Sequence, residues 1–435
     1  MLIILRIYII FLQLIFIVKF AKNYNFENVL FYNDINDIKI RKEVISMNKN
    51  NKLTFVGLEL ENHPLFDKNI SFFINDSQNF YDDKHNKLIM LTGKNATGKT
   101  VVLKLVMGTL SLLLEDKPIS YTKLNDILIG NDPIKINTFF RDDYKLLYKD
   151  ELILEKNADG EWVIDSEKIY QKKIASYLVK NSLFEFNNEQ LIYDRNNIDE
   201  IAASVLAADK SLFKIVRKVN KYKTQRVIDT LALTDLNTLL RLYNGQNIPK
   251  EILEYLDPAI DYLKFEVFND KAAFYRLKFK HGDKEFTNAD FATIKKYLSL
   301  GTINGIILYG YILHTLITGG IIFIDEFENH LDYEVVKTFL EYFIDNEINK
   351  NNATIIFSTH CPKLLNDFEC KHKTFYTIKR DNNIELHYFY NNENHLNGLV
   401  KNKIFDSTSF DKTIQEYDVY FQLRKATERI IKNNK

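Results

Sequence analysis

Apolar and polar positions alternate through Leu53, Phe55 and Gly57, and again through Ile70, Phe72 and Ile74. A period of two marks strands with one buried face, so the folded sequence is expected to open near Leu53 with a hairpin or meander. Residues 88–91, Leu-Ile-Met-Leu, break the alternation. An unbroken apolar run of that length reads as a strand covered on both faces. It ends at Thr92 and Gly93, and helical spacing takes over from 101 to 114. Residues 136–140, 144–147 and 152–155 return to short strand patterns, expected to form an antiparallel meander. From about 166 to 265 the spacing is helical, in runs such as 201–216 and 227–242, broken at Asn244-Gly245 and Pro249. A hairpin signal follows at His281-Gly282-Asp283, between 274–279 and Phe286. Residues 321–324 and 354–357 are two more unalternating apolar runs, each followed by helical periodicity.

The expected fold is therefore α/β, with a central mostly parallel sheet, an antiparallel N-terminal meander and a helical insertion. Its parts are an apolar leader over 1–46, a first lobe over 53–165, a mostly helical insertion over 166–270 and a second lobe over 271–435. Neither an internal repeat nor a sustained heptad pattern is present.

Three of these strand ends carry candidate chemistry. Gly93-Lys94-Asn95-Ala96-Thr97-Gly98-Lys99-Thr100 follows one doubly covered strand and opens a helix, the context a phosphate-binding loop requires. Its glycines let backbone N–H groups turn inward on an anion, Lys99 can reach the β and γ phosphates, and the Thr100 hydroxyl can ligate Mg²⁺. The positive end of the helix dipole adds to the attraction.

Residues 321–324 deliver Asp325 and Glu326 at the C-terminal end of a second strand, where ligands sit in open parallel sheets. Asp325 is expected to hold Mg²⁺ through water, and Glu326 to orient or deprotonate an attacking water. Alone, such a pair is an ordinary solvated strand end; beside the loop it completes a nucleotide site. Ser358-Thr359-His360 ends the third strand and precedes Pro362, which suits a first helical position. His360 thus belongs to the same sheet edge as Asp325, either as an exposed strand-end residue or as a donor to a γ-phosphate.

Residues 298–302, Leu-Ser-Leu-Gly-Thr, stand before the apolar helical stretch 303–317. That puts Ser299 and Gly301 at a helix N-terminus, where Ser299 is either a plain cap or part of a γ-phosphate contact. No set of residues resembles a Ser/His/Asp triad or a structural zinc cluster.

Lys plus Arg equal Asp plus Glu at 58 each, so no overall basic footprint points to nucleic acid. A local basic set, Lys214, Arg217, Lys218, Lys221, Lys223 and Arg226, is either a solvated helix face or a surface that tracks DNA. Cys361 and Cys370 are too few for a disulfide framework, which fits a reducing compartment. Residues 2–18 are apolar apart from Arg6 and Gln13. They are compatible with a short membrane anchor, a signal peptide or a leader ahead of a start at Met47. Lys19, Lys22, Lys39, Arg41 and Lys42 outweigh Arg6, so insertion would leave the remainder in the cytoplasm, where ATP is. Any membrane contact is expected through these residues alone.

Taken in order, Gly93 to Thr100, Leu298 to Thr302, Asp325-Glu326 and His360 resemble the ATP-binding-cassette (ABC) type of ATPase head, in its soluble branch, over about residues 53–389. Ser299 precedes Asp325 by 26 residues and His360 follows Glu326 by 34, close to the spacing of such heads. The large insertion and the phrase Ile324-Asp325-Glu326-Phe327-Glu328-Asn329 look like the AAA-15/AAA-21, overcoming-lysogenization-defect-like group found in bacterial defence systems. The resemblance implies a homodimer that sandwiches two ATP molecules, with Ser299 and Gly301 touching the γ-phosphate held by the other subunit. It also implies that Asn329-His330-Leu331-Asp332 links the two sites, and that a separate effector protein takes the output. Leu300 departs from the small residue usual in the signature, and the glutamine of the Q-loop has no assigned position. The 75 residues after His360 are too few for a Toprim-like nuclease, so nuclease activity is not expected in this chain.

Overall fold

The computed structural model describes residues 51–66, 68–74, 87–93, 95–174, 183–198, 206–231, 248–268, 272–329, 331–368, 373–380 and 383–388. The expectations for 1–46 lie outside these residues, as do Lys94, His330 and Cys370.

Among these residues three sheets are formed. The first is an antiparallel meander of β1 (Lys52–Glu61), β2 (Ile70–Phe73), β4 (Ile134–Asp142), β5 (Leu146–Lys156), β6 (Trp162–Lys173) and β7 (Leu191–Asp194), in the order β2-β1-β4-β5-β6-β7, with β8 (Lys223–Thr224) beside β1. The second contains β3 (Leu88–Thr92), β9 (Val227–Asp229), β13 (Ile321–Ile324), β14 (Thr354–Thr359), β15 (Lys373–Arg380) and β16 (Asn383–Tyr388). Its order is β16-β15-β3-β14-β13-β9, parallel except for β16. The third, β10 (Ile260–Phe268), β11 (Ala272–Phe279) and β12 (Glu285–Asn288), includes the hairpin expected at Gly282.

The parallel sheet is buried on both faces, which is why its strands do not alternate. Ile89, Leu91, Ile321, Phe323 and Ile356 join one core with α1 (Lys99–Glu115) and the inner face of the meander. Their neighbours Leu88, Met90, Ile322, Ile324, Ile355 and Phe357 join the other. That second core also takes in α3 (Lys250–Leu256), α4 (Phe291–Ile294), α5 (Leu300–Thr318) and α6 (Tyr333–Ile344). Among the described residues α5 is the one helix long and apolar enough to cross a membrane, and it is largely packed inside this core.

Two expectations are corrected. Residues 144–147 and 152–155 are not separate strands: 146–147 begin β5 and 152–155 lie in its second half, while 144–145 belong to the turn before it, which the Asp142 carboxylate fixes by accepting the N–H groups of Tyr144 and Leu146.

The span 166–270 is not mostly helical among its described residues. It holds the rest of β6, then β7 to β10, and only two seven-residue helices, α2 (Phe213–Val219) and α3. Tertiary bonds outcompete helical ones here. Arg195 donates to the carbonyls of Ala207 and Lys210, Glu167 accepts from the Leu212 N–H at 2.8 Å, and Ile164 N–H donates to Ala208 O, so 207–212 is laid along β6. Val227 and Ile228 likewise find a partner strand in β13. Residues 232–242 of the second helical run lie outside the described residues.

Candidate functional site

Register decides what meets at the edge of the parallel sheet. Ser358 pairs with Leu91 and Phe357 with Ile324, so the C-terminal ends of β3, β14 and β13 are level. The loop after β3, the Ser358–His360 segment and the Asp325–Glu326 pair therefore emerge side by side.

The loop has a backbone that side chains would obstruct. Gly93 and Gly98 have φ of 149° and 100°, and Ala96 has φ of 61°. A Cβ on Gly93 would lie 2.6 Å from Thr377 O, and one on Gly98 would lie 2.4 Å from the Ile384 side chain. Both partners belong to the β15–β16 hairpin, some 280 residues further along the chain, and Thr97 and Thr377 hydroxyls meet at 2.7 Å. Nothing in the sequence near the loop announces those partners.

Lys99, only 5% exposed, donates to Gly93 O at 3.0 Å, curling over the loop. Burial lowers its pKa, and the nearby charges of Asp325, Glu326 and Glu328 oppose that shift. Thr100 Oγ1 donates to Asp325 Oδ2 at 2.6 Å, joining positions 225 residues apart. A cavity of about 340 Å³ opens here, lined by Asn95, Ala96, Gly98, Lys99, Thr100 and Glu326 at its polar end and by Leu65, Val101 and Ile384 at the other.

Asp325 is held on its second oxygen by the Ser358 hydroxyl at 2.5 Å. Glu326 adopts φ of 46°, a left-handed conformation uncommon for a side chain of this size. Its N–H donates to Ser358 Oγ at 2.7 Å, and Asn329 Nδ2 donates to its Oε2 at 2.8 Å. His360 Nε2 stands 3.8 Å from Glu326 Oε1, too far for a hydrogen bond. The His360 N–H donates to the Glu328 carboxylate. Asn329 and Glu328 are site residues that motif reading placed only in a connecting phrase; their contacts arise from a tight turn after β13.

Ser299 and Gly301 do not line this cavity. Ser299 is the N-cap of α5: its Oγ accepts the Thr302 N–H at 3.0 Å and meets the Thr302 hydroxyl at 2.7 Å. Leu300 beside it is 53% exposed. Of the basic set, Arg217 is committed to structure, donating to Leu114 O at 2.5 Å and pairing with Asp116 at the C-terminus of α1.

The donor set fits a magnesium–triphosphate. The loop offers the backbone N–H groups that lead into α1 and a buried cation, and Thr100 with Asp325 offers the hard oxygens that Mg²⁺ prefers. Among the described residues no group of three or more His, Cys, Asp or Glu is gathered as a metal centre. The pair would therefore share the ion with phosphate and water, as Mg²⁺ sites commonly do.

Known structures with similar folds include an SMC head bound to the C-winged helix domain of ScpA, at 13% identity and a TM-score of 0.41, covering 78% of this chain and 98% of that one. The SMC head domain from Thermotoga maritima aligns at 11% identity and a TM-score of 0.35, covering 78% and 100%. The recombination mediator protein RecF in its ATPrS form aligns at 12% identity and a TM-score of 0.37, also covering 78% and 100%. Likenesses this distant say nothing about activity, ligand or partner. No curated protein matches the chain. The family model described as "AAA domain, putative AbiEii toxin, Type IV TA system" matches residues 88–366, from the strand before the phosphate loop to beyond His360, and the chain belongs to this family of AAA-domain proteins.

Proposed function

We propose that the chain binds and hydrolyses ATP with Mg²⁺, as an ABC-type head that closes into a homodimer around nucleotide and serves as a switch for a partner effector in bacterial defence. The observation that carries the reading is the Thr100–Asp325 hydrogen bond, which unites the phosphate loop with the acidic strand end. The family's description, naming a toxin of a type IV toxin–antitoxin system, is in keeping with a defence role.

Each residue has a part in this reading. Backbone N–H groups from Asn95 to Thr100 cradle phosphate oxygens, and Lys99 leaves its contact with Gly93 O for the β and γ phosphates. Thr100 and Asp325 would hold Mg²⁺, which when bound neutralises phosphate charge. Asn329 fixes one oxygen of Glu326, leaving the other free to take a proton from the attacking water. His360 lies close enough to that carboxylate to sense an added γ-phosphate.

Ser299 and Gly301, which do not line the cavity of their own chain, would act on the nucleotide of the second copy. ATP can then favour closure only through the contacts that exist in the closed state. The site works in the cytoplasm, with any membrane tether confined to residues 2–18.

Replacing Glu326 by Gln tests the reading. Turnover should fall by about 10²–10⁴-fold, the usual worth of a general base. Sedimentation in ATP should show dimers persisting. A variant that remains monomeric in ATP removes the dimer switch; a wild type without ATPase activity removes the whole proposal. A DNA-engaging head is the second reading, less supported now that Arg217 caps α1. Its mark would be DNA retention that weakens steeply with salt.

A further inference from the structure

The two residues of the acidic pair share one neighbour. Ser358, fully buried near the end of β14, donates its hydroxyl to Asp325 Oδ1 at 2.5 Å and accepts the Glu326 N–H at 2.7 Å with the same oxygen. Its carbonyl accepts the next amide, Phe327 N–H, at 3.1 Å. Three bonds from one residue thus define the path of the chain as it leaves β13, including the step where Glu326 takes its positive φ.

We infer that Ser358 is the positioning residue of this site: it holds Glu326 in its left-handed conformation and sets the direction in which its carboxylate faces the phosphates. The inference rests on the proposed ATP hydrolysis and adds a residue to it.

The physical argument concerns alternatives open to the chain. A non-glycine residue at φ of 46° is strained, and it stays there only if neighbouring bonds fix it. The Ser358 hydroxyl is such a bond, and it also pins the Asp325 carboxylate from the side opposite Thr100. Without it, Asp325 keeps the Thr100 bond and the loop keeps its shape. Glu326 would lose its fixed aim. Nucleotide affinity should therefore survive while turnover falls, since misplacing a catalytic group by about 1 Å costs on the order of a hundredfold.

The test is Ser358→Ala, read by steady-state ATPase kinetics and by binding of a fluorescent ATP analogue. The expected result is a kcat lower by about 10–100-fold, with KM and analogue affinity within about threefold of wild type. The same substitution placed in the Glu326→Gln background should lower turnover no further, because Ser358 acts through Glu326. Ser358→Cys, nearly isosteric but a weak donor and acceptor, should show the same split and serves if the alanine variant does not fold. An unchanged kcat, an equal further loss in the Glu326→Gln background, or a loss confined to affinity would each overturn the inference. A wild-type protein that binds no analogue would instead refute the ATPase reading.

Discussion

In the parallel sheet the charged groups of interest stand just past strand ends, whereas in the antiparallel meander two carboxylates, Asp150 and Glu167, lie in mid-strand with no exposure at all. At the strand ends, Asp325 and Glu326 are satisfied by hydroxyls and an amide, and Glu326 still faces an open cavity. In the meander, Glu167 accepts from the Ser211 hydroxyl, the Leu212 N–H and Arg195, and these bonds hold the 207–212 segment onto the sheet. The same chemical group thus does two jobs: charge at the parallel edge can change partners when a ligand arrives, while charge in the meander is spent on structure.

This contrast should appear first as a separation of activity from stability. Lys99→Ala is expected to lower ATP turnover by on the order of 10²–10³-fold, the cost of removing one preorganised donor to developing phosphate charge. Its melting temperature should be unchanged or higher, because burial already works against the Lys99 ammonium. ATPase assays beside thermal melts check this. A Lys99→Ala protein that unfolds would mean that the loop is as structural as the meander.

The meander should respond to pH. Burial, then the neighbouring Glu167 and Glu151 charges, pushes the Asp150 pKa well above the ordinary carboxylate range, and burial raises Glu167 too, against the pull of Ser211, Leu212 and Arg195. A raised folded pKa means that the folded chain binds more protons than the unfolded one. The contribution of such a group is therefore fully present below its unfolded pKa and is lost as pH rises towards the folded value, by up to about 1.4 kcal/mol per pH unit. Asp150→Asn keeps the shape and removes the proton, so it should stabilise the chain relative to wild type, more at pH 8 than at pH 5. Denaturant titrations at the two pH values give the comparison. A gain that does not depend on pH would show that Asp150 does not titrate in this range.

The two regions also differ in how far the sequence announces them. Residues 88–91, 321–324 and 354–357 are apolar without interruption because both faces are covered, and a motif hangs from the end of each; strand, loop and acidic pair could all be read from short windows. Ser358 stands at the end of one of those windows, but its two hydrogen bonds, to the Asp325 carboxylate and from the Glu326 N–H, depend on the register between β13 and β14, which no local pattern encodes. Thr377 and Ile384, which shape the phosphate loop from the far hairpin, are set by sheet order in the same way.

The span 166–270 misled for a related reason. The apolar spacing around 201–216 is helical in period, yet Glu167 and Arg195 capture the backbone of 207–212, and among the described residues of that run the helix begins only at Phe213. Long-range polar bonds won over local periodicity.

The smallest expected effect concerns Ser299, where local and dimeric roles can be pulled apart. As the N-cap of α5 it satisfies the Thr302 N–H, so Ser299→Ala should cost about 1 kcal/mol of stability, and Ser299→Asp, itself a good cap, much less. If capping were its whole purpose, the aspartate variant would behave as wild type in ATP. If Ser299 meets the γ-phosphate of a second copy, the added negative charge must repel that phosphate, and the ATP-induced dimer should be lost from a chain that melts normally. Sedimentation of the two variants with and without ATP separates these cases. The exposed Leu300 next to the cap favours the dimeric one, because an aliphatic side chain 53% open to solvent at a helix start gains most from a surface that covers it.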